Sequence, residues 1–232
     1  MRWAYSRRCE RYPAAMPRIL VLAIFLSLAL PGCATRTVQQ KVVDEYGLTI
    51  KLRSQAKLFG ATTPRGFEQP TVIAPSRIAL ILGGIEVDQR ASDEAVVRER
   101  RPAVPAKILQ QISDGLSQAF SEASPDQEVI VLAVRKQLQH GVFHRKFLTS
   151  FSTYLREGEM YVFLSRVDWP LDSKRSTDRL PEPQPGESPM PITTVGNAVY
   201  KKVGAQGVRT DWRRPEFGLL SETSADGSSE NR

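Results

Sequence analysis

Few residues in this 232-residue chain have the types and spacing to make or break bonds. Gly115-Leu116-Ser117-Gln118-Ala119 approaches a nucleophile elbow, but its closing glycine is missing. An elbow serine must sit at a strand-to-helix turn, whereas the apolar periodicity around Ser117 puts it in mid-helix, which argues against a nucleophile. His140 and His144 stand four apart, a spacing that on a helix aligns two metal ligands. Gly141 and the flanking strand patterns place them in a connection instead, and the glutamate of a zinc-protease motif is absent, so they read as surface or packing histidines. Glu157 and Glu159 bracket a predicted hairpin turn, where carboxylates stay solvated and have no cause for the raised pKa of a general acid. Gly83-Gly84 and the glycines at 204 and 207 lack the spacing of a phosphate loop or dinucleotide fingerprint. Trp169, Trp212 and Tyr200 stand singly near strand ends and read as core or rim. The expectation is a non-enzymatic chain with no catalytic residue, cofactor or metal site.

The elements that would position these residues follow from hydrophobic periodicity. Residues 48–53 alternate apolar and polar, which puts Leu48, Ile50 and Leu52 on the buried face of a strand, and a partner strand over about 38–44 pairs with it across Glu45-Tyr46-Gly47. Pro75-Ser76 opens a helix with Ile78, Ile81 and Leu82 on one face and Gly83-Gly84 as its stop. A single buried strand over 78–87 is the rival reading, because periodicity alone does not separate the two. A strand at 85–88 follows the favoured helix. The mixed charges of residues 89–103 read as a solvated face or loop. Ile108, Leu109, Ile112, Leu116, Ala119 and Phe120 recur at spacings of three and four, predicting an amphipathic helix over about 105–123. The apolar run 129–134 predicts a central strand buried on both faces. Residues 147–155 and 160–167 predict a hairpin. After Trp169-Pro170, a long Pro- and Glu-rich loop is expected over about 170–190, then edge strands over 195–200 and 207–212, and a disordered tail over 219–232. The fold class is α+β, a mostly antiparallel sheet with one main amphipathic helix on a face.

The first 32 residues stand apart from this fold. Arg7, Arg8, Arg11 and Arg18 precede an apolar stretch over 19–30, interrupted only by Ser27. A dozen residues is short of the roughly 18–20 that span a bilayer, and Pro31-Gly32 ends the stretch, so it reads as a signal peptide. Met16 is an alternative start that leaves Arg18 as the leading charge. Leu30-Pro31-Gly32-Cys33 resembles the lipobox of bacterial lipoproteins, with a proline where a small or hydroxylated residue is usual. The resemblance covers only these first 33 residues and implies cleavage before Cys33 and lipidation of its thiol. Acyl chains contribute about 0.8 kcal/mol per buried methylene, so two or three hold a domain on a membrane where one does not. Ala34, being no aspartate, implies by the same resemblance the inner leaflet of the outer membrane, facing the periplasm. Residues 33–41 are then a lipidated tether and 42–218 a single domain. The segments Phe67-Glu68-Gln69-Pro70, Arg145 to Phe151 and Ser165 to Trp169 resemble uncharacterised proteobacterial lipoproteins, a likeness that implies no activity.

Removal of the signal alters the charge argument. The chain is +7 overall, but residues 1–32 hold five of its 32 basic and one of its 25 acidic residues, so 27 and 24 remain, a net +3. A nucleic-acid partner is not expected on that balance. Cys9 goes with the signal and Cys33 is modified, which leaves no thiol for a disulfide or a soft metal. Three readings stay open: an envelope lipoprotein that docks a protein partner, which leads; a module for lipid or cell-wall polymer, needing a groove of aromatics with Arg98, Arg100 or Arg101; and a hydrolase using Ser117 or His140 and His144.

Overall fold

The alternation of Leu48, Ile50 and Leu52 with Thr49 and Lys51 forms a strand, as its period of two requires, in a computed structural model that describes residues 35–57, 62–90, 98–139, 143–171, 180–184 and 190–218. The expected signal peptide, Cys33, His140 and the tail over 219–232 lie outside the described residues. Strands β1 (Thr35–Glu45) and β2 (Leu48–Lys57) turn at Gly47, whose φ of +86° suits glycine. Helix α1 (Pro75–Gly83) follows with proline in its first turn, so the helix reading of this stretch holds over the strand reading. Next come β3 (Glu86–Arg90), β4 (Arg98–Pro102) and helix α2 (Ala106–Glu122). Then come β5 (Glu128–Gln139), β6 (Phe143–Arg156) and β7 (Glu159–Leu171). The short strands β8 (Ile192–Thr194), β9 (Lys201–Val203) and β10 (Gly207–Asp211) lead to a 3-10 turn at Pro215–Phe217.

The strands make two sheets, one of seven in the order β1-β2-β5-β6-β7-β10-β9 and one of three in the order β4-β3-β8. The pairings of β2 with β5, β5 with β6, β6 with β7 and β7 with β10 are all antiparallel, as are both pairings of β3. The fold is therefore α+β with a mostly antiparallel sheet. Helix α2 turns Ile112, Leu116, Ala119 and Phe120 into a core shared with Leu48, Ile50 and Leu52 of β2 and Val129, Val131 and Ala133 of β5. Each Val, Leu, Ile or Phe side chain among these, removed from water, contributes about 1.5–3 kcal/mol. Gly115 lets the helix lie close, since a Cβ there would stand 2.6 Å from Ile50 Cδ1. The opposite face of the large sheet carries a second, smaller cluster of Ile130, Leu132 and Leu148. Strand β5 is thus buried on both sides, as its unbroken apolar run predicts.

Four expectations need correction. Residues 35–41, read as part of a loose tether, belong to β1, because the strand starts at Thr35 and is hydrogen-bonded to β2 from the sheet edge. The charge run over 89–103 is not all loop. Its second half, β4, completes the β3 ladder as an edge strand, where Glu99 and Arg100 are exposed, Arg101 is half-buried and the backbone pairs. The stretch 195–200 is no strand, because the Asn197 side-chain oxygen accepts from the amides of Val199 and Tyr200 at 2.8 Å each and folds the chain into a turn. Strand β7 runs to Leu171, past the expected start of the long loop at 170, and Asp168 at φ +48° marks the irregularity that carries it there.

Candidate functional site

Residues singled out for chemistry are mostly committed to structure. The Ser117 hydroxyl, in mid-helix, donates to the Ile73 carbonyl oxygen at 2.6 Å and so fastens α2 to the segment before α1. His144 is exposed on β6 opposite Leu138, in a strand and not in a connection. Among the described residues no group of three His, Cys, Asp or Glu side chains is placed to hold a metal. Glu157 is exposed at its turn, as expected. Glu159 is not: its side chain is only 17% exposed and pairs with Arg209 at 2.8 Å and Lys201 at 3.8 Å. The register explains this, because Glu159 faces Asp211 on β10, two residues on from the Arg209–Tyr161 pair and so on the same face of the sheet. These residues border an open cleft of about 510 Å³ whose lining from Glu157, Glu159, Asp211, Lys201, Arg213 and Arg214 mixes both signs of charge.

The single aromatics belong to core and rim. Tyr200 is buried, donates its phenol to the Ile81 carbonyl at 2.8 Å and is pushed up to about 12 by burial. Trp169 and Trp212 pack on the main core. Arg100 pairs with Asp88 and Arg101 donates to the Val167 carbonyl.

A denser constellation lies on the face of the large sheet away from the helices. Arg53 of β2 and Glu128 of β5 are cross-strand partners, and Arg53 Nε donates to Glu128 Oε1 at 3.0 Å while Arg65 Nη1 reaches the same oxygen at 3.1 Å. The Arg53 and Glu128 side chains are 9% and 4% exposed, so this is a charge group largely withdrawn from water. Beside it runs an aromatic row, with Tyr154 stacked on Phe67 at 4.4 Å, on Tyr161 at 5.0 Å and on Phe163 at 5.9 Å between centroids. Burial, then the neighbouring Tyr161, pushes the Tyr154 phenol up.

Across the other end of this face lies the segment Leu180-Pro181-Glu182-Pro183-Gln184. Leu180 packs on Ile130, Leu132 and Leu148. Lys51 Nζ and Gln39 Nε2 donate to the two Glu182 carboxylate oxygens, each at 2.6 Å. Arg53 Nη1 donates to the Pro183 carbonyl at 2.7 Å, and Arg166 Nη1 approaches that of Pro181 at 3.4 Å. Comparisons with family models, curated proteins and solved structures find no match. The physical arrangement therefore carries the reading: three cations and an amide on one sheet face hold an extended acidic segment chiefly by its acceptors. None of Lys51, Arg53, Glu128 or Glu182 stood out in the sequence. The polar positions of β2 read as a solvated side, and Glu182 lay within a presumed surface loop. The one usable clue was β5, since a strand buried on both faces requires something to cover the second.

Proposed function

We propose that this chain is a non-enzymatic envelope lipoprotein, held to the inner leaflet of the outer membrane through lipid on Cys33, whose folded domain docks a protein partner in the periplasm. The carrying observation is the short apolar stretch ending in Leu30-Pro31-Gly32-Cys33, which resembles a lipobox. Strand β1 opens at Thr35, two residues after that cysteine, so the chain between lipid and fold reaches no more than about 7 Å. A domain on so short a lead stays close to the membrane surface. Among the described residues no helix is long and apolar enough to cross a membrane.

The docking reading draws on where polar chemistry collects. The hydroxyl and carboxylate candidates are spent on internal hydrogen bonds and ion pairs, whereas the outer sheet face groups cations, hydroxyls and aromatics over one surface. A second reading, a module for lipid or cell-wall polymer, draws on the row Phe67, Tyr154, Tyr161 and Phe163, with Arg65 over the Phe67 ring. The test of the leading reading is growth with labelled fatty acid followed by fractionation. Wild-type chain is expected to carry label and sediment with outer membranes, and Cys33→Ser to lose both. Unlabelled wild-type chain in the aqueous fraction contradicts it.

A further inference from the structure

The outer sheet face holds Leu180–Gln184 in the manner of a bound peptide. Proline at 181 and 183 removes two backbone donors, so this stretch offers mainly carbonyl and carboxylate acceptors, and it is extended by the restriction that proline imposes. The sheet answers with donors: Arg166 toward the Pro181 carbonyl, Lys51 and Gln39 on the Glu182 carboxylate, Arg53 on the Pro183 carbonyl. An apolar anchor, Leu180, fills the remaining contact over Ile130, Leu132 and Leu148. These donors come from β1, β2 and β7, so the segment crosses the strands instead of extending a sheet edge. The face also keeps polar capacity that the segment leaves unused. Among the described residues, Arg53 Nη2 and Ser150 Oγ are buried with no hydrogen-bond partner, and Ser150 lies opposite Leu132 on the strand beside it. Buried polar groups normally find partners, so these two groups can form further hydrogen bonds with an occupant of this face.

We propose that this face is a recognition site for an extended partner segment bearing an acidic residue between two prolines behind an apolar residue, and that Leu180–Gln184 is the built-in competitor occupying it. This rests on the docking reading above and gives the partner its chemistry. Charge complementarity selects the occupant, because Lys51, Arg53 and Arg166 on the face favour an acidic segment and disfavour a basic one. The strap competes from within the same chain, where tethering gives it an effective concentration of the order of millimolar, so only a released strap lets a free peptide bind at its intrinsic affinity.

The test uses the full chain in mild detergent and a fluorescent peptide with the sequence of residues 180–184, read by anisotropy. Glu182→Lys reverses the strap's own anchor and is expected to bind this peptide about ten-fold or more tightly than wild type. A control peptide with lysine in place of glutamate is expected not to bind, and adding Lys51→Glu to the variant is expected to abolish binding of the acidic peptide. Glu182→Gln, run in parallel, loosens the strap without reversing charge and carries the same comparison with a smaller gain should the lysine variant fold poorly. Equal binding by wild type and variants overturns the proposal, as does equal binding of the two peptides. Dimerisation of the released variant at micromolar concentration overturns it too, by assigning the face to a second copy. Mass measurement of Cys33 acylation on the same preparations reports the anchor separately, so failure of one reading is not mistaken for failure of the other.

Discussion

Lys51 Nζ donates to Glu182 Oε1 across 2.6 Å and so ties the outer side of β2 to a segment 131 residues further along the chain. Both side chains are largely shielded, at 16% and 21% exposed, which sets this pair apart from the exposed Lys41–Asp44 bridge on the same sheet. The strap's hold on the sheet is therefore expected to respond to the charge on one carboxylate.

That response has a definite sign. Burial alone would push the Glu182 carboxyl up, but hydrogen bonds from Lys51 and Gln39 and the charges of Lys51 and Arg53 outweigh it and hold the carboxyl below its ordinary value. A carboxyl lowered in the folded state contributes stability above its unfolded pKa, and that contribution fades as pH falls through the folded value. Wild type is expected to melt above Glu182→Gln at pH 7 and to lose the advantage as pH drops below about 4. Lys51, Arg53, Arg166 and Glu128 are common to both chains, so the comparison isolates Glu182. Melting curves between pH 7 and pH 3 check this, and a gap independent of pH contradicts it.

Glu128 receives both Arg53 and Arg65 on one oxygen, in a site from which water is largely excluded. Glu128→Gln leaves the Arg53 guanidinium buried beside a neutral amide, and breaking such a group costs about 3–5 kcal/mol. Arg53→Met combined with Glu128→Leu is expected to recover much of that loss, since apolar packing replaces a desolvated pair. Urea titration of the three variants separates the cases.

Gly115 owes its place to packing, not to chemistry. Leucine there collides with Ile50, itself fully buried, and overpacking of this kind costs about 1–3 kcal/mol. Ile50→Val, which shortens the facing side chain, is expected to return part of the loss in Gly115→Leu although it is destabilising alone. Additive losses in thermal melts would mean that the two residues do not meet.

Elements whose burial shows in local spacing were legible in the sequence. The stripe of Ile108, Ile112, Leu116 and Phe120 marks α2, and the turn Glu157-Gly158, with φ of +54° and +74°, joins β6 to β7 as a two-residue hairpin of that twist requires. Strand β4 was illegible because an edge strand can carry charged residues such as the exposed Glu99 and Arg100 while its pairing is made by the backbone. The outer face was illegible for a related reason. Lys51 and Arg53 look like the wet side of an alternating strand, and only a segment far along the chain removes them from water. Spacing reports local periodicity and carries no trace of a contact between residues so distant. Ser117 shows the converse, a local pattern whose hydroxyl donates to the Ile73 carbonyl.

Ser117→Ala therefore tests whether that hydroxyl does more than fasten α2 to Ile73. Loss of one half-buried hydrogen bond is expected to cost about 1 kcal/mol, read as a shift in the denaturation midpoint, with membrane association unchanged. Loss of an ester, peptide or glycan hydrolysis that wild type performs would return Ser117 to the role of nucleophile.

A docking role in the envelope presupposes export and an anchor, and both depend on Cys33. Its most direct test is the mass of the N-terminal peptide from full-length protein expressed in a bacterium and purified from membranes. The expected result is a chain that begins at Cys33 and carries a diacylglyceryl group and a further acyl chain. A mature chain that begins elsewhere, or an unmodified Cys33 thiol, contradicts it.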